Sequence, residues 1–292
     1  MNKDFNKGLL LAGFGSFWWG FLGVIYFKYI TFIGYIELVV HRCLWTTFTL
    51  IITTFLFSKW NIFFKIINNK KNLIYLFFSG FLIFINWGVW IYAIATNRII
   101  DASFGYFMMP ILSVMLGSVF FNEKLNNKRI FSILLVVISI LYLIIVSLQS
   151  LPWVGIIVAL SWGFYNLVRK KINVDTDIGL LIESLYILPF ALISFYLIAI
   201  NGYNDFQLSN PPMMLFIFLA GPMTVIPLFL YVRGVELCGL GPTGMIFYIT
   251  PTLQFLLGFF YYDEPFSTAK LVSFIFIWIA VIIYLKDLYE TN

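Results

Sequence analysis

Three ionisable side chains stand close together inside an otherwise apolar stretch near the start of the chain: Glu37, His41 and Arg42. Glu37 and His41 are four residues apart, so in a helix they share one face. A carboxylate beside an imidazole can hold or pass a proton near neutral pH. Two interpretations stay open. One is a site that couples transport to protons or orients a substrate; the other is a packing group in which Arg42 closes an ion pair or extends toward water.

Glu183 is a further acidic residue inside an apolar segment, and an ionisable group in such a segment is costly unless it faces the protein interior. We expect it to pair with a cation or to reach the membrane interface. His41 is the only histidine, and neither cysteine stands at ligand spacing, so no metal site is expected. The chain has no GxxxxGK[ST], HExxH or GxSxG motif. We therefore expect no cofactor and no enzyme, and an intramembrane hydrolase is disfavoured.

The composition places the chain in a lipid bilayer. Hydrophobic residues make up 62%, charged residues 11%, and the mean hydropathy is +0.96. A soluble domain carries about a quarter charged residues. The net charge of +5 comes from basic residues in short loops rather than along one face, so no nucleic-acid partner is expected. Cys43 and Cys238 lie in or beside apolar segments, which indicates buried thiols.

Ten segments are long and apolar enough to cross a bilayer, which takes about 20 residues. They are separated by short polar connections. The predicted spans are 8–27, 34–57, 73–96, 102–121, 130–148, 152–168, 178–200, 212–232, 240–261 and 270–286.

The distribution of lysine and arginine orients these spans. If the N-terminus is inside, most of the 18 basic residues fall on the inner side, and only Lys28, Arg98 and Lys270 fall in outer loops. Cytoplasmic loops carry such an excess. We therefore expect a multi-pass protein of the cell (inner or plasma) membrane with both termini in the cytoplasm.

The sequence repeats itself. When Ala102 is aligned with Thr243 without gaps, Pro110 falls on Pro251, Gly117 on Gly258 and Glu123 on Glu264. The repeating unit is five spans, so its two copies, 1–148 and 149–292, must cross the membrane in opposite directions. Glu37 falls on Glu183 in a similar alignment. Inverted repeats are typical of secondary transporters with a substrate site near the midplane.

Small residues four apart form ridges on spans one and six, and such ridges let helices approach closely in lipid. We expect both ridges to pack tightly in the interior. The ridges consist of Ala12, Ser16 and Gly20, and of Gly155, Ala159 and Gly163. Glu123 and Glu264 are expected to fix membrane-edge turns by hydrogen bonding.

Other polar, aromatic and proline residues are predicted to line a central cavity. Pro110 and Pro251 lie near the middle of their spans, where each frees a backbone carbonyl and can act as a hinge. Few charges and many aromatic walls suit an amphipathic metabolite or an organic cation. The predicted lining residues are Trp18, Asn86, Trp90, Tyr106, Trp162, Tyr165, Tyr248 and Gln254.

Several stretches resemble the drug/metabolite transporter superfamily, in its EamA family and RarD-type group. They are IELVVHR at 36–42, DASFGYFMMP at 101–110, LSWGFYNLVRKKI at 160–172, LLIESLYILP at 180–189, YITPTLQFLLGFFYYDEP at 248–265 and FIFIWIAVIIY at 274–284. The resemblance implies two inverted five-helix repeats around a central cavity, with helices five and ten at the periphery. It also implies a permease for a small metabolite.

The leading hypothesis is therefore a secondary transporter that works by alternating access, as a proton-coupled carrier or as a facilitator. The competing one is a non-transporting accessory or scaffold subunit. The expected partners are a small metabolite, the bilayer and, in the coupled case, protons. The sequence leaves a monomer and a homodimer equally open.

Overall fold

The chain forms a bundle of α-helices. The computed structural model describes residues 3–121, 125–147, 152–172, 174–206, 211–238 and 240–291, and over these ranges it contains no strand. The helices are α1 (Lys3–Tyr29), α2 (Tyr35–Leu56), α3 (Trp60–Ile67), α4 (Lys70–Ala95), α5 (Ile99–Phe121), α6 (Asn127–Ser147), α7 (Trp153–Lys170), α8 (Thr176–Ile200), α9 (Pro211–Cys238), α10 (Thr243–Tyr261) and α11 (Thr268–Thr291).

Eight helices in the described part are long and apolar enough to cross a membrane; α3, α5 and α7 are not among them. Helices suit this solvent because they satisfy their backbone polar groups internally, where no water can do so. α5 and α7 have 23 and 18 residues and pack against the others. Each of the ten predicted spans lies on one of these helices, whereas ten membrane crossings remain a prediction.

The short helix α3 was missed by the sequence analysis, which treated its residues as a polar connection between spans two and three. It carries Trp60, Phe63 and Phe64 together with Lys65. Aromatic and basic residues on one short helix are typical of a segment lying in the membrane interface. Eight residues are too few to span the bilayer, so a search for spans passes over them.

Helix α10 is interrupted at Phe247–Tyr248, shortly before Pro251. Pro251 has no N–H to donate to the carbonyl of Phe247 four residues earlier. That carbonyl instead accepts a hydrogen bond from the Thr250 N–H at 2.9 Å, which tightens the turn. In α5 the helical backbone continues through position 110 without interruption. The side chain of Pro110 lies outside the described part of the structure.

Helices of the two predicted halves interleave. α1 packs against α9 and α10, while α7 packs against α4 and α5. α2 contacts α8, α5 contacts α10, and α6 contacts α11. Replacing each helix by its counterpart in the other predicted half turns α1–α9 into α7–α4 and α1–α10 into α7–α5. It leaves α2–α8, α5–α10 and α6–α11 as they are.

A serine seam joins α6 to α11. The Ser132 hydroxyl donates to the carbonyl of Ala280 at 3.1 Å, and Ser139 donates to the carbonyl of Ser273 at 2.8 Å. Arg129 and Asp287 add an ion pair at 2.7 Å. α6 and α11 therefore pack mainly against each other, and α1, α2, α4, α5 and α7–α10 form the rest of the bundle.

The two small-residue ridges pack closely, as predicted. A Cβ added at Gly20 would lie 2.7 Å from the carbonyl oxygen of Thr250 in α10. One added at Gly155 would lie 2.8 Å from the carbonyl oxygen of Asp101 in α5. Without their side chains these residues let the helix backbones touch, which supplies van der Waals packing that lipid cannot replace.

Glu264 fixes the turn after α10 by hydrogen bonding, as predicted. Its carboxylate accepts hydrogen bonds from the backbone N–H groups of Ile99 at 2.7 Å and Ile100 at 2.8 Å, which open α5. Burial raises the pKa of this carboxyl, and the two amides act in the opposite direction. Glu123, for which the same role is predicted, lies outside the described residues.

Replacing Gly20 by alanine tests the α1–α10 contact. The new methyl group would meet backbone atoms of Thr250, which cannot move without shifting the helix. We expect the free energy of unfolding to fall by about 1–3 kcal/mol, measured by thermal unfolding in detergent. Gly13→Ala is the control on the same helix, because its nearest neighbour atom is 3.9 Å away. Equal melting temperatures for the two variants would contradict the contact.

Candidate functional site

Arg42 lies in the core between α1, α2 and α4, with 6% of its surface exposed. Its guanidinium carbon is 4.9 Å from the ring centre of Phe27, 4.8 Å from that of Trp87 and 5.0 Å from that of Trp90. Aromatic faces attract a cation at such distances. These three rings, which we call the Arg42 cage, hold the charge in a place that water scarcely reaches.

Two of the three nitrogens of this guanidinium are buried without a partner in the described structure. Nε and Nη1 of Arg42 are buried and have no hydrogen-bond partner among the described residues. The ionisable neighbours of Arg42 are Tyr106, Cys43 and Tyr26, and no carboxylate in the described part pairs with it. Arg42 therefore neither closes the Glu37–His41 pair nor extends to water, the two positions expected for a packing group.

Glu37 is held on the other side of α2. Its carboxylate accepts hydrogen bonds from the backbone N–H of Asp205 at 3.1 Å and of Phe206 at 3.3 Å, and it lies 3.4 Å from His41 Nε2. The contact ties the start of α2 to the segment that follows α8. His41 packs against Phe206, with ring centres 4.8 Å apart. No three His, Cys, Asp or Glu side chains gather as metal ligands anywhere in the described ranges.

Asn86 finds a full set of partners between the predicted halves. Its amide nitrogen donates to the carbonyl of Val158 at 3.2 Å and to the Ser161 hydroxyl at 3.1 Å. Its amide oxygen accepts from the Tyr106 hydroxyl at 3.1 Å. This amide therefore ties α4 and α5 to α7, and it satisfies the groups that would be costly to leave unpaired in a bilayer.

Glu183 is fully buried near the start of α8. It accepts hydrogen bonds from the Ser79 hydroxyl at 2.5 Å and from the Tyr165 hydroxyl at 3.2 Å. Arg169 Nη1 lies 3.6 Å from its carboxylate. Two outcomes were expected for Glu183: pairing with a cation, or reaching the membrane interface. The structure shows the first, with Arg169 of α7 as the cation.

A second ion pair lies at the same end of the bundle. Lys59, at the start of α3, is 2.6 Å from Asp177 in the first turn of α8. The Lys59 side chain is 32% exposed, so its charge is screened by solvent and the contact is weaker than a buried pair.

An aromatic wall continues from the Arg42 cage toward the second half. Tyr106 lies 6.3 Å from Trp162 and 6.4 Å from Phe247, measured between ring centres. Phe247 also contacts Tyr231 and Trp19 at 5.8 and 6.4 Å. We call these five residues the aromatic wall. Of the predicted cavity residues, Trp90 thus lies beside Arg42, while Tyr106 and Trp162 belong to the aromatic wall.

The remaining predicted residues lie elsewhere. Trp18 contacts Phe14, which is half exposed, and its neighbour Trp19 instead joins the aromatic wall. Tyr248 stacks on Phe107 in a separate apolar core that includes residues of α6 and α11. Gln254 is buried, and its amide oxygen has no hydrogen-bond partner in the described part. Tyr165 belongs to the Glu183 cluster.

An open groove of about 330 Å³ runs between α2, α4 and α8. It extends from Tyr35 at the start of α2 and Tyr92 near the end of α4 to Cys43 and Phe84 further along these helices, and Ala191 lines it on α8. Its walls are largely apolar, so it suits hydrocarbon rather than a charged group.

Sequence reasoning missed six residues of the Arg42 cage, the aromatic wall and the Glu183 ion pair. They are Phe27 and Trp87 of the cage, Trp19, Tyr231 and Phe247 of the wall, and Arg169. Two signals pointed to Trp19 and Arg169. Trp19, not Trp18, aligns with Trp162 in the repeat, and Arg169 stands four residues after Tyr165, on the same face of α7.

Three comparisons with known proteins identify what the chain is similar to. A sequence profile described as "EamA-like transporter family" matches residues 6–145. An "Uncharacterized transporter" of Vibrio cholerae is 34% identical over 98% of this chain and 94% of its own. "Protein RarD" of Escherichia coli K12 is 33% identical over 99% and 97%. One crystal structure superposes with a TM-score of 0.58 at 12% identity, over 95% and 96% of the two chains, and supports the fold alone.

A double-mutant cycle tests the Glu183 cluster. Glu183→Gln leaves Arg169 without its carboxylate, so we expect a loss of about 3–5 kcal/mol in the free energy of unfolding. The double variant with Arg169→Gln should lose less unfolding free energy than the two single variants together. The difference, which is the coupling energy, should exceed about 1 kcal/mol. The exposed pair Arg233 and Glu236 is the control, and its coupling should be smaller. Strictly additive effects at Glu183 and Arg169 would contradict the pairing.

Proposed function

The chain belongs to the EamA-like transporter family, in the RarD-type group of the drug/metabolite transporter superfamily, and from this premise we propose that it is a secondary transporter for a small metabolite. The observation that carries the proposal is the position of Arg42 and the aromatic wall, which involve helices of both predicted halves. The relatives reported above are named as a transporter or as RarD, and none of these names denotes an enzyme.

Ten helices in two inverted halves, 1–148 and 149–292, form the moving parts in this proposal. The exchange symmetry of the helix pairings supports it. So does a residue-level correspondence: Gly20 of α1 packs on Leu253 of α10, while its repeat counterpart Gly163 packs on Leu112 of α5, the counterpart of Leu253. Two halves with the same contacts can rock about a shared site and expose it to each side in turn.

The repeat-related carboxylates serve as latches at the two ends. With the N-terminus inside, Glu37 lies near the outer face and holds the segment at Asp205 and Phe206. Glu183 lies near the inner face and holds α4 and α7 through Ser79 and Arg169. Opening of one end requires the contacts of its latch to break, and closing restores them. Alternating access then follows if the two latches open one at a time.

The orientation has both termini in the cytoplasm and the protein in the inner, or plasma, membrane. The distribution of lysine and arginine in the sequence supports this orientation. The Lys28–Asn97 hydrogen bond then lies at the outer end, and the Lys59–Asp177 ion pair at the inner end.

Uptake of a pooled metabolite panel into proteoliposomes, read by mass spectrometry, tests the transport function. We expect at least one compound to enter faster than in protein-free vesicles. Accumulation that requires an imposed pH gradient identifies a proton-coupled carrier, and equilibration without the gradient identifies a facilitator. No flux of any compound with folded protein would contradict transport and favour the accessory-subunit alternative.

Glu37→Gln tests the outer latch as the proton carrier. The amide keeps the size of the side chain but cannot gain or lose a proton, so gradient-driven accumulation should fall at least about tenfold, equivalent to ~1.4 kcal/mol. Exchange of labelled for unlabelled substrate should continue. Glu236→Gln removes an exposed carboxylate and serves as the control. Unchanged gradient-driven uptake in Glu37→Gln would exclude Glu37 as the carrier.

A further inference from the structure

We propose that Arg42 binds the anionic group of the substrate, and that this substrate is a carboxylate attached to an apolar body. The inference rests on the proposed transport function and names the substrate class of that site. Its basis is the combination of a buried cation, three aromatic rings around it and two unpaired donor nitrogens.

The first argument is the cost of an unpaired charge. Arg42 lies about 10 Å along α2 from the end of the helix at Tyr35, well inside the hydrocarbon region. A cation at such depth is expensive and normally faces a partner. The Arg42 cage offsets part of that cost through its rings, yet within the described residues it offers the guanidinium no carboxylate. A counterion from outside the protein would supply the missing interaction.

The second argument is directional. The three rings lie 4.8–5.0 Å from the guanidinium carbon, and a ring offers its N–H groups no oxygen or nitrogen acceptor. Nε and Nη1 therefore have no acceptor in the described structure and are available to a ligand. The planar fork of an arginine matches the two oxygens of a carboxylate, and such charge-assisted bonds are the strong ones.

The third argument concerns the rest of the ligand. Tyr106 of the aromatic wall lies in the same apolar core as the Arg42 cage, and the wall supplies ring surface from both predicted halves, including Trp162 and Phe247. Such surface binds an apolar or aromatic body. The guanidinium repels a cation, so the organic cation expected from the aromatic residues alone is disfavoured. An inorganic anion would satisfy the charge and leave the wall unused.

Ligand binding to the purified protein in phosphatidylcholine nanodiscs tests the inference. Trp87 and Trp90 stand beside Arg42, so their fluorescence reports an anion there. The probes are butyrate, hexanoate, octanoate and phenylacetate, each compared with its neutral amide, and chloride as the inorganic arm. We expect a saturable change with at least one carboxylate, and affinity at least about tenfold weaker for its amide.

Arg42→Gln should weaken carboxylate binding about tenfold or more, and Arg42→Lys, which keeps the charge but loses the planar fork, should be intermediate. Arg233→Gln removes an exposed arginine and should change nothing. Size-exclusion profiles and melting temperatures establish that each variant is folded. If Arg42→Gln does not fold, Arg42→Lys and the carboxylate–amide comparison on the unmodified protein decide the matter.

The inference is overturned if no carboxylate binds, if the amides bind equally well, if folded Arg42→Gln binds carboxylates unchanged, or if chloride alone occupies the site. The uptake panel separates this result from the transport function. Flux of neutral or cationic compounds without carboxylate binding would leave transport standing and remove the role of Arg42. Carboxylate binding without flux of any compound would leave the anion site standing and remove the transport function.

Discussion

The bilayer offers no water to buried polar groups, and most of this structure follows from that constraint. Each carboxylate or amide inside the helices must find its partners within the protein. Glu37 finds backbone amides, Asn86 finds a carbonyl and two hydroxyls, and Glu183 finds hydroxyls and an arginine. Each of these solutions joins different helices, so satisfying the polar group also determines which helices meet. Two donor nitrogens of Arg42 and the amide oxygen of Gln254 are exceptions, since they have no partner in the described structure.

Close backbone contact is the second consequence of the lipid environment. Helices gain little from hiding apolar surface when the solvent is itself apolar, so packing must supply the attraction. The glycines at 20 and 155 bring backbones together between the predicted halves, where a methyl group would collide. These contacts join helices of different halves, so in the proposed motion they act as the pivot and do not separate. Motion between the halves is then easiest where polar latches, rather than packed ridges, hold the ends together.

The sequence predicted the features that depend on local pattern. The spans follow from apolar runs, and the tight ridges follow from small residues four apart. The turn-fixing role of Glu264 follows from its place in the repeat. The partners of polar groups were not predictable, because Arg169 meets Glu183, and Trp87 meets Arg42, only when separate helices pack. Helix α3 was missed because its pattern is too short for a span. The prediction placed Trp18 on the cavity instead of Trp19. Neighbouring residues in a helix point about 100° apart, so this shift of one residue selected the wrong face.

The central claim is that the two ends of the protein open alternately around one site. Distances between spin labels measured by double electron–electron resonance test it most directly, with one pair at Thr96 and Tyr203 on the outer end and another at Asn68 and Lys171 on the inner end. These side chains are exposed, so labels there leave the packing intact. The account predicts two populations for each pair, with substrate or pH shifting the outer and inner distances in opposite directions. A single unchanged distance for both pairs, or distances that lengthen together, would contradict it.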